Sequence, residues 1–201
     1  MNHWHLHLAV RVLRRGGVVL HPTEGVWGLA CDPWNAAAVE ALLHFKQRPA
    51  NKGLIVVGAA AGCFEAELSQ LEPSAQDRVL ASWPGPVTWL LPSERFPEWI
   101  TGGRDTVAVR VPGHAGCRDL CRAFGSPLVS TSANRSGAPP ARNRFQARAW
   151  LRDTCRDRAA GGADAALRHE ADLYLLPGET LGRRRPSDLR TIQGDEIRRE
   201  R

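Results

Sequence analysis

Lysine is scarce in this chain: of its 27 basic side chains only Lys46 and Lys52 are lysines, and the other 25 are arginines. Both lie in His44-Phe-Lys46-Gln-Arg48-Pro49-Ala-Asn-Lys52-Gly53-Leu54. Arginine solubilises a surface equally well, so lysine here points to a need for a compact ammonium with three rotatable donors beside the planar fork of Arg48. Phosphate or carboxylate oxygens are natural counterparts; a solvated helix end is the other reading. The cysteines, at 31, 63, 117, 121 and 155, include no CxxC pair, which fits reduced thiols. Cys117 and Cys121 suit one face of a helix, where core packing outweighs a metal site. The amino-terminal stretch has no basic region followed by a long apolar run. Neither a signal peptide nor a transmembrane helix is supported, no membrane partner is expected, and the cytoplasm is the default location. His3, His5 and His7 read as surface residues at a helix start. Repeats, low-complexity tracts and Ser/Gly-rich linkers are missing, so one domain over 1–201 is expected, with a core of about 10–192 and a polar tail. No GxxxxGK[ST], GxGxxG, HExxH or GxSxG occurs, which excludes the common nucleotide folds and hydrolases but not ATP itself.

What is present is a net charge of +6 and a pI near 9.6, which suit an anionic partner: nucleotide, nucleic acid or a small acid. Along the chain, Leu6, Ala9, Val10 and Leu13 predict a helix over 4–15 that Gly16-Gly17 stops. Val18-Val19-Leu20 predicts a buried strand, running into an irregular path over His21-Pro22-Thr23-Glu24-Gly25-Val26-Trp27-Gly28-Leu29. In open α/β sheets, ligands favour loops beyond strand ends, although Thr23 also suits a turn cap. Asn35 caps a helix over 36–46 that ends at Lys46 and cannot pass Pro49, where cations also offset the helix dipole. A strand over 53–57, a helix from Pro73 to about 82, a strand near Val87 to Leu91, a strand over 106–111 that delivers Arg110, and a helix over 115–124 follow. Leu128-Val129 then leads into the hydroxyl and amide run Ser130-Thr131-Ser132-Ala133-Asn134-Arg135-Ser136-Gly137, suited to phosphate and ribose or to turns. Residues 143–151 predict a helix with Phe145, Ala149 and Trp150 inward, 156–170 fit no element, and 172–176 return to a strand. A cation-rich loop over 177–190, with Arg183-Arg184-Arg185, precedes a last strand and suits an anion lid, an RNA contact or plain solvated surface.

Five pieces in order, His21 to Leu29, Lys46 to Leu54, Trp83-Pro-Gly-Pro-Val-Thr88, Val107-Ala-Val-Arg110-Val-Pro112 and Ser130 to Gly137, resemble the YrdC-like threonylcarbamoyl-AMP synthases of the short, single-domain bacterial type. The resemblance implies a three-layer α/β fold with a twisted mixed sheet flanked by helices. It also implies a nucleotidyltransferase that joins L-threonine, bicarbonate and ATP into threonylcarbamoyl-AMP and pyrophosphate, for N6-threonylcarbamoyladenosine in tRNA. Lys46, Arg48, Ser132 and Asn134 then match the family's ATP-holding tetrad, acting by orientation and electrostatics with no covalent nucleophile. Thr23, Lys52 and Arg110 match threonine contacts. Thr88, Ser130, Arg183 and Ser187 match nucleotide or lid contacts, while Glu24 assists by hydrogen bonding or serves structure. Magnesium is expected on the phosphates, and contact with the threonylcarbamoyl-transfer complex is expected to be transient. Two features depart from the family: Trp27 stands where tyrosine or phenylalanine is usual, and Pro186-Ser187-Asp188-Leu189 replaces a Pro-Ser-Thr-Ile-type lid.

The alternative from another class is a non-catalytic double-stranded RNA or tRNA binding module using the same basic surface. Carbamoyl-adenylate chemistry of the hydrogenase-maturation type is a second enzymatic alternative, but its zinc-finger-like and acylphosphatase-like segments are missing here.

Overall fold

A computed structural model describes residues 2–160, 173–183, 186–193 and 195–197. Its elements are α1 His3–Arg14, β1 Val18–Pro22, β2 Trp27–Cys31, α2 Ala36–Lys46, β3 Ile55–Val57, α3 Glu65–Leu68, α4 Pro73–Ala81, β4 Val87–Pro92 and α5 Glu98–Thr101, followed by β5 Thr106–Arg110, α6 Ala115–Phe124, β6 Leu128–Ser132, α7 Arg144–Ala160, β7 Leu173–Leu175, β8 Asp188–Arg190 and β9 Glu196–Ile197. The strands form one mixed sheet in the order β7-β1-β2-β6-β3-β5-β4-β8-β9. The pairs β1/β7, β3/β5 and β4/β8 are parallel and the others antiparallel.

Helices cover the sheet from both sides, so its strands carry apolar residues on both faces. Side chains alternate along a strand. Val18 and Leu20 accordingly join a core with α2, α3, α4 and α7 (Leu42, Leu68, Val79, Ala147), while Val19 joins Ala9, Leu13, Leu120 and Cys121 from α1 and α6. Leu29 and Cys31 divide from Ala30 in the same way, as do Val56 from Val57 and Val129 from Leu128. Three layers result, matching the fold expected. Burying a side chain such as Leu42 or Leu20 contributes roughly 1.5–3 kcal/mol.

Caps set the helix limits. Asn2 Oδ1 accepts from Trp4 N at 3.0 Å to start α1, and Asn35 Oδ1 accepts from Ala38 N at 3.0 Å to start α2. His5 is tied down, its Nδ1 lying 2.7 Å from the Tyr174 hydroxyl, while His3 and His7 are exposed. Cys117 and Cys121 are buried in the α1/α6 core, and among the described residues no three metal-ligating side chains cluster. Among those residues, too, no helix is long and apolar enough to cross a membrane.

Several expectations need correction. The irregular path is confined to Thr23 to Val26: β1 continues to Pro22 and pairs with β2, from Trp27 on, as a hairpin in which Trp27 is fully buried. β6 runs on to Ser132, pairing Ser130, Thr131 and Ser132 with β2 rather than leaving them in a loop. Asp188–Arg190 is a strand against β4, not loop. α7 extends to Ala160 and its core stripe is Ala147, Trp150 and Leu151. Phe145 falls on the opposite side of that stripe and is 66% exposed, its ring 5.0 Å from the Arg144 guanidinium. Most of the stretch 156–170, Asp172, Arg184, Arg185 and the end of the tail lie outside the described residues.

Candidate active site

α1 and α6 cover only part of their sheet face. Val19, Ala30, Val57 and Leu128 lie beneath them. By strand alternation, His21, Gly28, Ser130, Ser132 and Arg110 occupy the same face, and Thr88 joins them because Trp89 and Leu91 point into the opposite core. A sheet face that carries hydroxyls, an imidazole and a guanidinium where its neighbours carry valine and leucine is built for a polar ligand.

One end of this face is organised by Lys46. The side chain leaves the last turn of α2 and is only 2% exposed. Its ammonium donates to the Ser132 carbonyl, to the Asn134 carbonyl at 3.0 Å and to Asn134 Oδ1 at 3.3 Å. Three donors meeting three converging oxygens is a task for a point cation, not for a planar fork. Asn134 is itself fixed: its Oδ1 accepts from Ser132 Oγ at 2.5 Å, and its Nδ2 donates to Arg135 O and Ala138 O at 2.9 and 2.7 Å. Ser136 N closes the latch by donating to Lys46 O at 2.7 Å. Burial, and then the charge of Arg48, lowers the Lys46 pKa from 10.5 to about 7. Gln47 turns the chain out of α2 with φ 50°, and Arg48 Nη2 then donates to Gly53 O at 3.0 Å. Burial lowers the Arg48 pKa as well. Lys52, on the short turn Ala50–Lys52, is exposed, and its ammonium makes no hydrogen bond or ion pair among the described residues.

The other end is built on the β1–β2 turn. Thr23 Oγ1 donates to Val26 O at 2.8 Å, so its hydroxyl caps the turn as the structural reading of the sequence expected. Glu24 reaches the loop after β5. Its Oε1 accepts from Gly113 N at 2.8 Å and lies 3.3 Å from Arg110 Nη1, and both side chains are more than nine-tenths buried. A strap over residues 177–183 crosses this turn. Arg183 N donates to Glu24 O at 2.9 Å, and His114 Nε2 lies 3.0 Å from Glu179 O. A Cβ on Gly25 would sit 2.4 Å from Arg183 O, so glycine is what lets the strap lie against the turn. Farther along the face Thr88 Oγ1 donates to Ser187 Oγ at 3.0 Å, and Arg183 Nη2 is 3.5 Å from Asp188 Oδ1.

Of the residues singled out in the sequence, the structure joins Lys46, Ser132 and Asn134 directly, fixes Arg48 on Gly53 O close enough to Lys46 for its charge to act there, and joins Thr88 to Ser187. Arg110 is paired with Glu24, Ser130 is buried on the same face, and Lys52 is exposed on the turn after α2. Gly113, His114 and Asp188 were missed. They act through main-chain or long-range contacts that leave no local pattern, although His114 directly before a predicted helix was a readable cap: its Nδ1 accepts from Cys117 N at 3.2 Å.

A family model named for Sua5, YciO and YrdC and described as "Telomere recombination" matches residues 11–170. A threonylcarbamoyl-AMP synthase from Pseudomonas aeruginosa is 45% identical over 190 residues, covering 94% of this chain and 93% of its own. One from Nitrosococcus oceani is 44% identical over 188 residues, covering 93% and 92%. Among solved structures, that of Sua5 from P. abyssi in complex with L-threonine superposes with a TM-score of 0.75 at 30% identity over 95% of this chain, which spans 52% of that longer one. With the match covering most of its length and the same fold around the same sheet, the chain belongs to the Sua5/YciO/YrdC family.

Proposed function

We propose that the protein makes threonylcarbamoyl-AMP from L-threonine, bicarbonate and ATP. The threonine nitrogen bonds to the bicarbonate carbon as water is lost, and an oxygen of the resulting carbamate then bonds to the α-phosphorus of ATP while pyrophosphate leaves. The observation that carries this reading is one polar sheet face with a buried cation at each end, Lys46 beside Arg48 and Arg110 beside Glu24. The relatives named threonylcarbamoyl-AMP synthase support it over nearly the whole chain. An anion attacking a polyanion needs such cations, and each one fixed in a water-poor site stabilises developing charge by about 2–4 kcal/mol.

On this reading Lys46, Arg48, Ser132 and Asn134 orient the polyphosphate, a phosphate oxygen taking the place of Asn134 Oδ1, the longest of the three Lys46 contacts. Thr88, Ser130, Arg183 and Ser187 line the nucleotide, and Thr23, Lys52 and Arg110 the threonine. Side chains hold and align both substrates, and none becomes covalently attached. The nucleotide end offers cations and neutral oxygens rather than carboxylates, and the described residues form no cage for magnesium; magnesium carried on the phosphates would offset their charge. Transfer to tRNA through a separate complex, and a cytoplasmic setting, belong to the same proposal. With isotope-labelled bicarbonate, mass spectrometry should find the label in threonylcarbamoyl-AMP only when threonine and ATP are both supplied. Pyrophosphate release that ignores threonine would overturn the proposal.

A further inference from the structure

Glu24 has an oxygen that the fold leaves unused. Its Oε1 is engaged by Gly113 N and Arg110, but Oε2 is buried with no hydrogen-bond partner among the described residues, and so is Arg110 Nε. Leaving a buried carboxylate oxygen without a donor is costly, and a water, ion or ligand group that donates to it removes that cost. The other acidic groups near the strap are occupied and more exposed: Glu179 faces Arg144 at 4.0 Å, and Asp188 faces Arg183. Glu24 is therefore the buried anion of this end, side by side with its buried cation.

An α-amino acid presents the complementary pair, a carboxylate and an ammonium on one carbon. We propose that Glu24 Oε2 receives the α-ammonium of the incoming threonine while Arg110 addresses its carboxylate, so that the ion pair reads both ends of the zwitterion. This rests on threonine being the substrate proposed above. The strap fastened to Glu24 O would cover the contact, where removal of water strengthens it. Once the nitrogen has been carbamoylated it carries no charge, so Glu24 favours the substrate over the product at this end.

The test compares threonine with a ligand that keeps its carboxylate but carries a neutral, carbamoylated nitrogen. In the intact protein with a non-hydrolysable ATP analogue bound, calorimetry should give threonine an affinity about tenfold or more above that of N-carbamoylthreonine, which keeps the carboxylate and has a neutral nitrogen. Glu24→Gln keeps an acceptor for Gly113 N. It should weaken threonine about tenfold or more, and change N-carbamoylthreonine and the nucleotide analogue less than about twofold. Equal weakening of both amino-acid ligands would make Glu24 a mere support for Arg110 and overturn the proposal, as would equal affinities in the unaltered protein. The second comparison needs no variant to fold. Threonine-dependent pyrophosphate release by the unaltered protein tests the parent reading separately: its presence alongside equal affinities removes Glu24 alone.

Discussion

Raising the pH should loosen ATP from this protein, because Lys46 must be charged to meet a polyphosphate and its pKa is lowered to about 7. Burial is the larger cause and the neighbouring charge of Arg48 the smaller. If only the charged form accepts the polyphosphate, the apparent Kd rises as one plus ten to the power of the pH minus that pKa. Between about pH 7.5 and 9.0, above the range near 6 where phosphate itself titrates, the weakening is about 25-fold, or about 1.9 kcal/mol. Near pH 8 roughly nine-tenths of a proton should be taken up per nucleotide bound. Calorimetry with an ATP analogue in two buffers of different ionisation enthalpy reads that uptake directly, and Lys46→Met should abolish it. Stability without nucleotide moves the other way. The unfolded chain keeps Lys46 near 10.5, so between about 7 and 10.5 it binds more protons than the folded one, and this contribution to stability grows as pH rises. A Kd that stays flat between about pH 7.5 and 9.0, or binding without proton uptake, would refute the reasoning.

Two further outcomes follow from the packing. Gly25→Ala places a methyl 2.4 Å from Arg183 O and must push the strap away. It should raise the threonine KM about tenfold and speed proteolytic cutting of the strap, while costing only about 1 kcal/mol of global stability in urea unfolding; unchanged kinetics would mean that the strap does not serve the site. Glu67 is fully buried and held by Arg95 Nη2 at 2.9 Å and Ser93 Oγ at 2.9 Å. Arg95→Ala, which strands that carboxylate, should cost about 2–3 kcal/mol in the same assay, at or below the low end for a buried pair because Arg95 is partly exposed; a loss under about 1 kcal/mol would contradict the pairing.

Elements whose logic is local were legible in the sequence. α2 could be read from Asn35 at one end and Pro49 beyond the other, and α6 placed Cys117 and Cys121 on one face toward the core, as their spacing suggested. β2 was hidden because a strand buried on both faces shows no alternation, and Trp27-Gly28-Leu29 follows a turn rich in proline and glycine. β8 was hidden because Asp188-Leu189-Arg190 becomes a strand only by pairing with distant β4. Phe145 was misjudged because hydrophobicity does not say which stripe of a helix meets the core; Ala147, Trp150 and Leu151 decide that. At the candidate site the residue types around Lys46 and Ser132 were visible as composition. Their convergence depends on the sheet order that brings β6 beside β2 and β3, which no local pattern encodes. The pairing of Glu24 with Arg110 is of the same kind, since it joins the first hairpin to the end of β5.

The central claim, that one sheet face holds both substrates end to end, is tested most directly by a crystal structure with a non-hydrolysable ATP analogue and threonine bound together. The account predicts the polyphosphate against Lys46, Arg48, Ser132 and Asn134, and the threonine carboxylate on Arg110 with its nitrogen beside Glu24. A nucleotide bound away from Lys46, or a threonine bound away from Arg110, would contradict it.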